Sequence, residues 1–385
     1  MNTKNLRIGI LTFHKSINYG SVLQAYALSK TLKDAGYSVE IIDYEPQRYE
    51  EIYSLYLKNN SLHHVLSNVL KRFPYRVAYK NRVNAFKNFR QTYLPLSKEK
   101  YFFDSDLEVL NDRYDVLIVG SDQVWNVFAY DCDDAYFLPI SHKAKKIAYA
   151  VSINNATFTE RRCDDRLRSL IMDFDAVSSR EKSGCQRLSD FLNGSKEIIN
   201  TLDPTLLADP KVFESIKSAR IVKEPYIFLY SISFSDDVIA SARSLSQRTG
   251  MPVYTLMTSL KSYNFLQHNS DKIYILKNHL SPEDFLSFIS NAEYVVTNSF
   301  HGTAFSLLFE KQFYSICPNK VDGTKKYDER LYSILTHLGI EDRLISMDEV
   351  NISDLSKKID YNNVNTKKED LVANSRKFLY DAIEV

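Results

Sequence analysis

Residues Leu6 to Phe13 form a near-continuous apolar run, and this stretch constrains the fold more than any other. A strand buried on both faces reads this way, because its alternating side chains enter two covering layers. The polar turn His14–Ser21 follows. Val22, Leu23, Tyr26, Ala27, Leu28 and Leu32 then recur at helical spacing up to Gly36, a residue suited to ending a helix. Ser38 to Asp43 supplies the next strand. Strand, helix and strand in this order make a βαβ unit, the building block of a doubly wound parallel sheet. Ligands of such sheets bind outside the carboxyl ends of the strands, where Asn18, Tyr19 and Gly20 fall.

The pattern repeats along the chain. Tyr114–Gly120, Lys146–Ile153 and Ala176–Arg180 read as buried strands, and Leu202–Leu207 closes the first series. The polar stretch from Lys211 to Glu224 ends at Pro225, taken as the domain boundary. A second α/β series follows, with strands at Tyr226–Ile232, Pro252–Met257, Lys272–Leu276, Tyr294–Thr297 and Phe313–Cys317. Ser281-Pro282-Glu283-Asp284 has the N-cap, proline and acidic first turn of a helix start. The fold class expected is α/β, with two Rossmann-like domains facing across a cleft in a GT-B-like arrangement. The N-terminal domain spans 1–210, with a basic helical insertion at about 50–100. The C-terminal domain spans 225–365, and a helix over 366–385 packs back on the first domain. A length of 385 residues agrees with two domains.

Composition excludes several function classes. Lys and Arg number 49 against 48 Asp and Glu, so no global field points to nucleic acid. Cys132, Cys163, Cys185 and Cys317 lie far apart, without zinc-ligand spacing, and read as reduced thiols with no metal site. The polar start Met1–Arg7 is unlike a signal peptide, and no apolar stretch approaches the ~20 residues that span a bilayer. A cytoplasmic protein is expected. From Leu62 to Lys98 there is no acidic residue, while Lys71, Arg72, Arg76, Lys80, Arg82, Lys87 and Arg90 are interleaved with aromatic rings. Such a segment, Lys71–Arg90, is either a solvated helix face or a peripheral contact with an anionic inner membrane surface or phosphorylated carrier.

The most informative chemistry lies in Thr297-Asn298-Ser299-Phe300-His301-Gly302-Thr303, between a buried strand and a helix. Backbone N–H groups and the positive helix end there suit a phosphate or carboxylate. Gly302 admits close backbone approach, Ser299 and Thr303 add hydroxyls, and His301 can exchange a proton near neutral pH. Alternatively His301 only hydrogen-bonds a neighbouring loop. Arg180, after a buried strand, can grip a carboxylate or phosphate with two N–H groups, or pair with a surface carboxylate. Lys325, Lys326 and Arg330 can add charge to the same cleft, although Arg330 equally suits a plain helix start. Asp122, Gln123, Trp125 and Asn126 offer hydrogen bonds and a stacking ring to a sugar; Trp125 also reads as a core aromatic.

In this order the motifs resemble the polysaccharide pyruvyltransferase family. The resemblance rests on Ile8-Gly9-Ile10 leading to Asn18-Tyr19-Gly20-Ser21, on Asp115–Trp125, on Ser179-Arg180-Glu181, on Asp203-Pro204-Thr205-Leu206-Leu207 and on Ser299–Thr303. Phe300 and Gly302 stand where many relatives carry Arg and Ala. The resemblance implies phosphoenolpyruvate as co-substrate, with no other cofactor and no metal. Pyruvate would be placed as a cyclic ketal on a hexose of a lipid-linked surface polysaccharide precursor. His301 would be catalytic, and Arg180, Ser299, Gly302, Thr303, Lys326 and Arg330 would bind the donor. Asn18, Tyr19, Gly20, Asp122, Gln123 and Trp125 would face the acceptor. The competing expectations are a nucleotide-sugar glycosyltransferase on the same scaffold and a non-catalytic polysaccharide-binding protein.

Overall fold

The computed structural model describes residues 6–46, 73–129, 131–154, 165–259, 262, 264–266, 272–317, 328–346, 349–350, 353–354 and 357–384. Two parallel sheets dominate it. Strands β1 (Arg7–Leu11), β2 (Ser38–Tyr44), β3 (Leu96–Tyr101), β4 (Val116–Val119), β5 (Lys145–Val151), β6 (Ala176–Ser179) and β7 (Ile198–Asn200) form one sheet, in the order β3-β2-β1-β4-β5-β6-β7. Strands β8 (Ile227–Tyr230), β9 (Val253–Leu256), β10 (Ile273–Leu276), β11 (Tyr294–Thr297), β12 (Gln312–Ile316) and β13 (Leu344–Ile345) form the other, in the order β10-β9-β8-β11-β12-β13. Both sheets wind outward from their first strand and then cross to its other side. Each therefore has a switch point, between β1 and β4 in one and between β8 and β11 in the other.

Five helices matter for the site. They are α1 (Tyr19–Asp34), α2 (Phe73–Tyr93), α3 (Pro204–Leu207), α4 (Phe300–Leu308) and α5 (Tyr361–Glu384). Helix α1 starts where the Asn18 side chain accepts a hydrogen bond from Gly20 N at 3.0 Å, meeting one of the unpaired donors of the first turn. It is buried along most of its length, because the first sheet covers one side and the second domain covers the other. One cluster of buried apolar side chains runs from α1 through Phe213 to Phe285 and Phe305 of the second domain.

The segment expected as a helical insertion differs in its described part. Helix α2 is the crossover from β2 to β3, and Leu96–Tyr101 is an edge strand paired with β2. The exposed Lys98, Glu99 and Lys100 hid this strand from an apolar-run argument. Similarly, Leu202–Leu207 is not a strand: β7 ends at Asn200, and Asp203-Pro204 opens the short helix α3. At three residues, none of them fully buried, β7 is too short to give a buried-strand signal.

The domains are pinned together in several places. The Tyr19 hydroxyl donates to Leu280 O at 3.0 Å, and Arg187 of the first domain pairs with Glu329 of the second at 2.5 Å. Arg82 of α2 lies 5.0 Å over the Tyr19 ring and donates to Ile17 O at 2.9 Å and to Thr258 O beyond β9. Helix α5 returns from the second domain to the first. Its Ser375 hydroxyl accepts from Leu202 N at 2.9 Å, and Arg376 donates to Leu207 O at 2.8 Å.

Candidate active site

The two switch points face each other. Gly20, after β1, touches His301, after β11, and a Cβ at Gly20 would overlap the imidazole Nδ1. His301 is the second residue of α4, whose N-cap Ser299 accepts from Gly302 N at 3.4 Å. Only 5% of His301 is exposed. Its Nε2 has no hydrogen-bond partner at bonding distance and points to Asp203 Oδ2, 3.6 Å away.

Asp203 caps α3 and is wholly buried. One oxygen accepts from Thr205 N at 3.0 Å and from the Thr205 hydroxyl. The other accepts from Ser121 Oγ at 3.0 Å and Arg180 Nη1 at 2.9 Å. Burial alone pushes this carboxyl up, but His301, Arg180 and Thr205 outweigh burial and hold it far below the usual carboxylate range.

Arg180 leaves the end of β6 and is buried in the same knot. Its Nε donates to Glu181 Oε1 at 2.7 Å, and its Nη2 lies 3.6 Å from Asp122 Oδ1. The guanidinium sits 4.2 Å over the Phe300 ring, a cation–π contact. Burial works against its charge, yet the Glu181, Asp122 and Asp203 carboxylates raise its pKa above the ordinary arginine value. Glu181, in turn, is pushed up by burial against the pull of Arg180. Asp122 has φ of 73°, in the left-handed region that aspartate, asparagine and glycine enter most readily, and accepts from the Ser21 hydroxyl.

These distances revise the residue expectations drawn from sequence. Arg180 is no open anion clamp: three carboxylates surround it, and its side chain is 1% exposed. Arg330 closes its Nε and Nη2 on Asp328, at 2.9 and 2.6 Å. The Thr303 hydroxyl is turned to Ser315 Oγ at 2.7 Å, and a Cβ at Gly302 would strike Thr297 Oγ1, so both serve the packing of α4 on its sheet. Trp125 is fully buried, donates to Tyr136 O at 2.8 Å and stacks on Phe137; it is a core aromatic, unavailable to a sugar. Tyr19 likewise spends its ring on Phe285 rather than on a ligand. Asn18 and Gln123 remain partly exposed near the meeting of the domains, Gln123 accepting from Asn126 Nδ2 at 2.9 Å. Lys325 and Lys326, with Lys71 and Arg72, lie outside the described residues.

Asp203, Ser121 and Phe300 were not among the candidates. Asp203-Pro204 carried a signal, since an aspartate before proline is an N-cap, but nothing local says that its second oxygen reaches another domain. Among the described residues no group of three His, Cys, Asp or Glu side chains is placed to hold a metal ion, and no helix is long and apolar enough to cross a membrane.

Two parallel sheets meeting at their switch points define a GT-B-type α/β protein, and solved structures agree. The chain is similar to UDP-GlcNAc 2-epimerase from Methanocaldococcus jannaschii, at 12% identity over 98% of this chain and 99% of that one, with a TM-score of 0.57. A putative UDP-N-acetylglucosamine 2-epimerase from Listeria monocytogenes matches at 10% identity over 97% and 89%, with a TM-score of 0.51. These identities speak for the fold alone. A search of curated proteins by sequence gave no match. The family model described as polysaccharide pyruvyl transferase matches residues 18–317. The chain belongs to that family and is a transferase.

Proposed function

We propose that the chain transfers pyruvate from phosphoenolpyruvate to two hydroxyls of a hexose, as a cyclic ketal, on a lipid-linked polysaccharide precursor. The observation that carries this reading is the meeting of His301, at the switch point of the second sheet, with Gly20 and Asp203 of the first domain, in a chain whose family match spans both domains. His301 is assigned the part of general acid. A proton delivered to the methylene carbon of phosphoenolpyruvate makes C2 oxocarbenium-like, and one sugar hydroxyl adds there. Phosphate then leaves with the C2–O electron pair, and the second hydroxyl closes the ring. The two hydroxyl protons balance the new methyl hydrogen and the proton on the released phosphate. The reaction is redox-neutral and is written with phosphoenolpyruvate as sole co-substrate.

The donor's charges are assigned to the amino end of α4 and the remaining edge of Arg330, with Lys326 as a further cation on sequence grounds. Asn18, Asp122 and Gln123 are assigned to the acceptor. A lipid-linked acceptor would bring the chain to the cytoplasmic membrane face. The outer surface of α2 suits this, with exposed Lys80 and Lys87 and no acidic residue along the helix. The test is incubation with phosphoenolpyruvate and a panel of lipid-linked glycosides. A mass gain of pyruvate less water, with phosphate released, supports the proposal; consumption of a nucleotide sugar in its place refutes it.

A further inference from the structure

We infer that Asp203 is the positioning residue of His301, lent by the first domain to an imidazole carried on the second, so that the acid is complete only where the domains meet. This rests on the catalytic reading of His301 given above. The imidazole is nearly sealed, and its Nε2 lacks a partner within bonding distance, a costly state for a buried polar atom. The nearest carboxylate oxygen is Asp203 Oδ2, 3.6 Å away, and catalytic hydrogen bonds in unliganded sites commonly start long and shorten on binding.

Asp203 itself cannot swing. The Thr205 amide and hydroxyl fix one oxygen, while Ser121 and Arg180 fix the other. Four donors keep the carboxylate charged and aimed, and the ring opposite belongs to the other domain. On its far side the imidazole rests against Gly20, where only the missing side chain leaves room for Nδ1. The ring is therefore gripped between Asp203 and Gly20, both from the first domain. The charged groups around this contact are Asp203 and Arg180, with Glu181 and Asp122 reached through Arg180.

A positioning residue acts through its partner, so a double-mutant cycle separates it from a structural one. Turnover is measured for wild type, Asp203→Asn, His301→Ala and the double variant, with phosphoenolpyruvate and a pyruvylatable glycoside. The expected result is a drop in kcat of about 10²-fold for Asp203→Asn, with KM for phosphoenolpyruvate changed less than about threefold, and no further drop when it is added to His301→Ala. Independent, multiplying losses would overturn the pairing while leaving His301 catalytic. Normal turnover of His301→Ala would overturn both the pairing and the catalytic reading beneath it. Should Asp203→Asn fail to fold, Asp203→Glu replaces it in the same cycle. The longer side chain keeps the charge but moves the carboxylate, so it must slow the enzyme with His301 present and add nothing in the His301→Ala background; a loss in both backgrounds overturns the inference.

Discussion

The ring of Tyr19 lies flat on the ring of Phe285, centroids 4.9 Å apart and planes 10° from parallel, and this stack joins the first turn of α1 to the second domain. Tyr19 is fully buried, so Tyr19→Ala leaves a void at the junction rather than a solvated notch. Truncations of this kind cost about 3–5 kcal/mol. Tyr19→Phe keeps the stack and gives up the hydroxyl with its bond to Leu280 O, for about 1 kcal/mol. Equilibrium unfolding in urea should rank the two variants in that order.

Arg82 stitches the same junction by a different means, since its guanidinium reaches carbonyls of both domains over the Tyr19 ring. Arg82→Met retains bulk but leaves Ile17 O and Thr258 O without this donor. The expected outcome is a loss of about 1–3 kcal/mol, together with a larger radius of gyration in small-angle scattering as the domains part. An unchanged scattering curve would show that Arg82 does not hold the domains.

Asp43 makes acid sensitivity measurable. Burial raises its pKa, but hydrogen bonds from His14 and Lys15 overcome burial and bring it down from 3.8 to about 2. A depressed carboxylate stabilises the fold above its unfolded pKa, and that contribution disappears as pH falls through the folded value. The window is therefore roughly pH 4 down to pH 2, and the contribution is about 2 kcal/mol. Asp43→Asn should flatten the fall of unfolding free energy across that window; an equally steep fall would assign the acid sensitivity elsewhere.

Trp125 is the sole tryptophan, which makes the correction of its role easy to check. Packed on Phe137 and Phe174 and bonded to Tyr136 O, it should emit at short wavelength and resist acrylamide. Added glycoside should leave its spectrum unchanged. Trp125→Phe should lower stability while KM for the acceptor holds.

The sheets were legible because their central strands are buried on both faces, so Leu6–Phe13, Tyr114–Gly120 and Tyr294–Thr297 are apolar for most of their length. Three of the edge strands escaped: β3 carries the exposed Lys98, Glu99 and Lys100, β7 is three residues long and β13 two. In the site, His301 stood out because a histidine at a strand-to-helix junction has few structural duties. Asp203 did not, because its local duty as a cap is sufficient to explain it. The charge balance was also hidden. Along the chain Arg180 reads as an anion clamp or the partner of one carboxylate, with Glu181 beside it, and only folding adds Asp122 and Asp203 from two other loops.

Helix α5 has a topological consequence. Because α5 packs on Leu202, Leu207 and Tyr149, the second domain is an excursion that departs near Lys223 and comes home by residue 375. Two strands of polypeptide, not one, therefore bridge the halves. Paired connections act as the two leaves of a door hinge, permitting rotation about the line between them and resisting twist, so any swing of His301 relative to Asp203 follows a single arc.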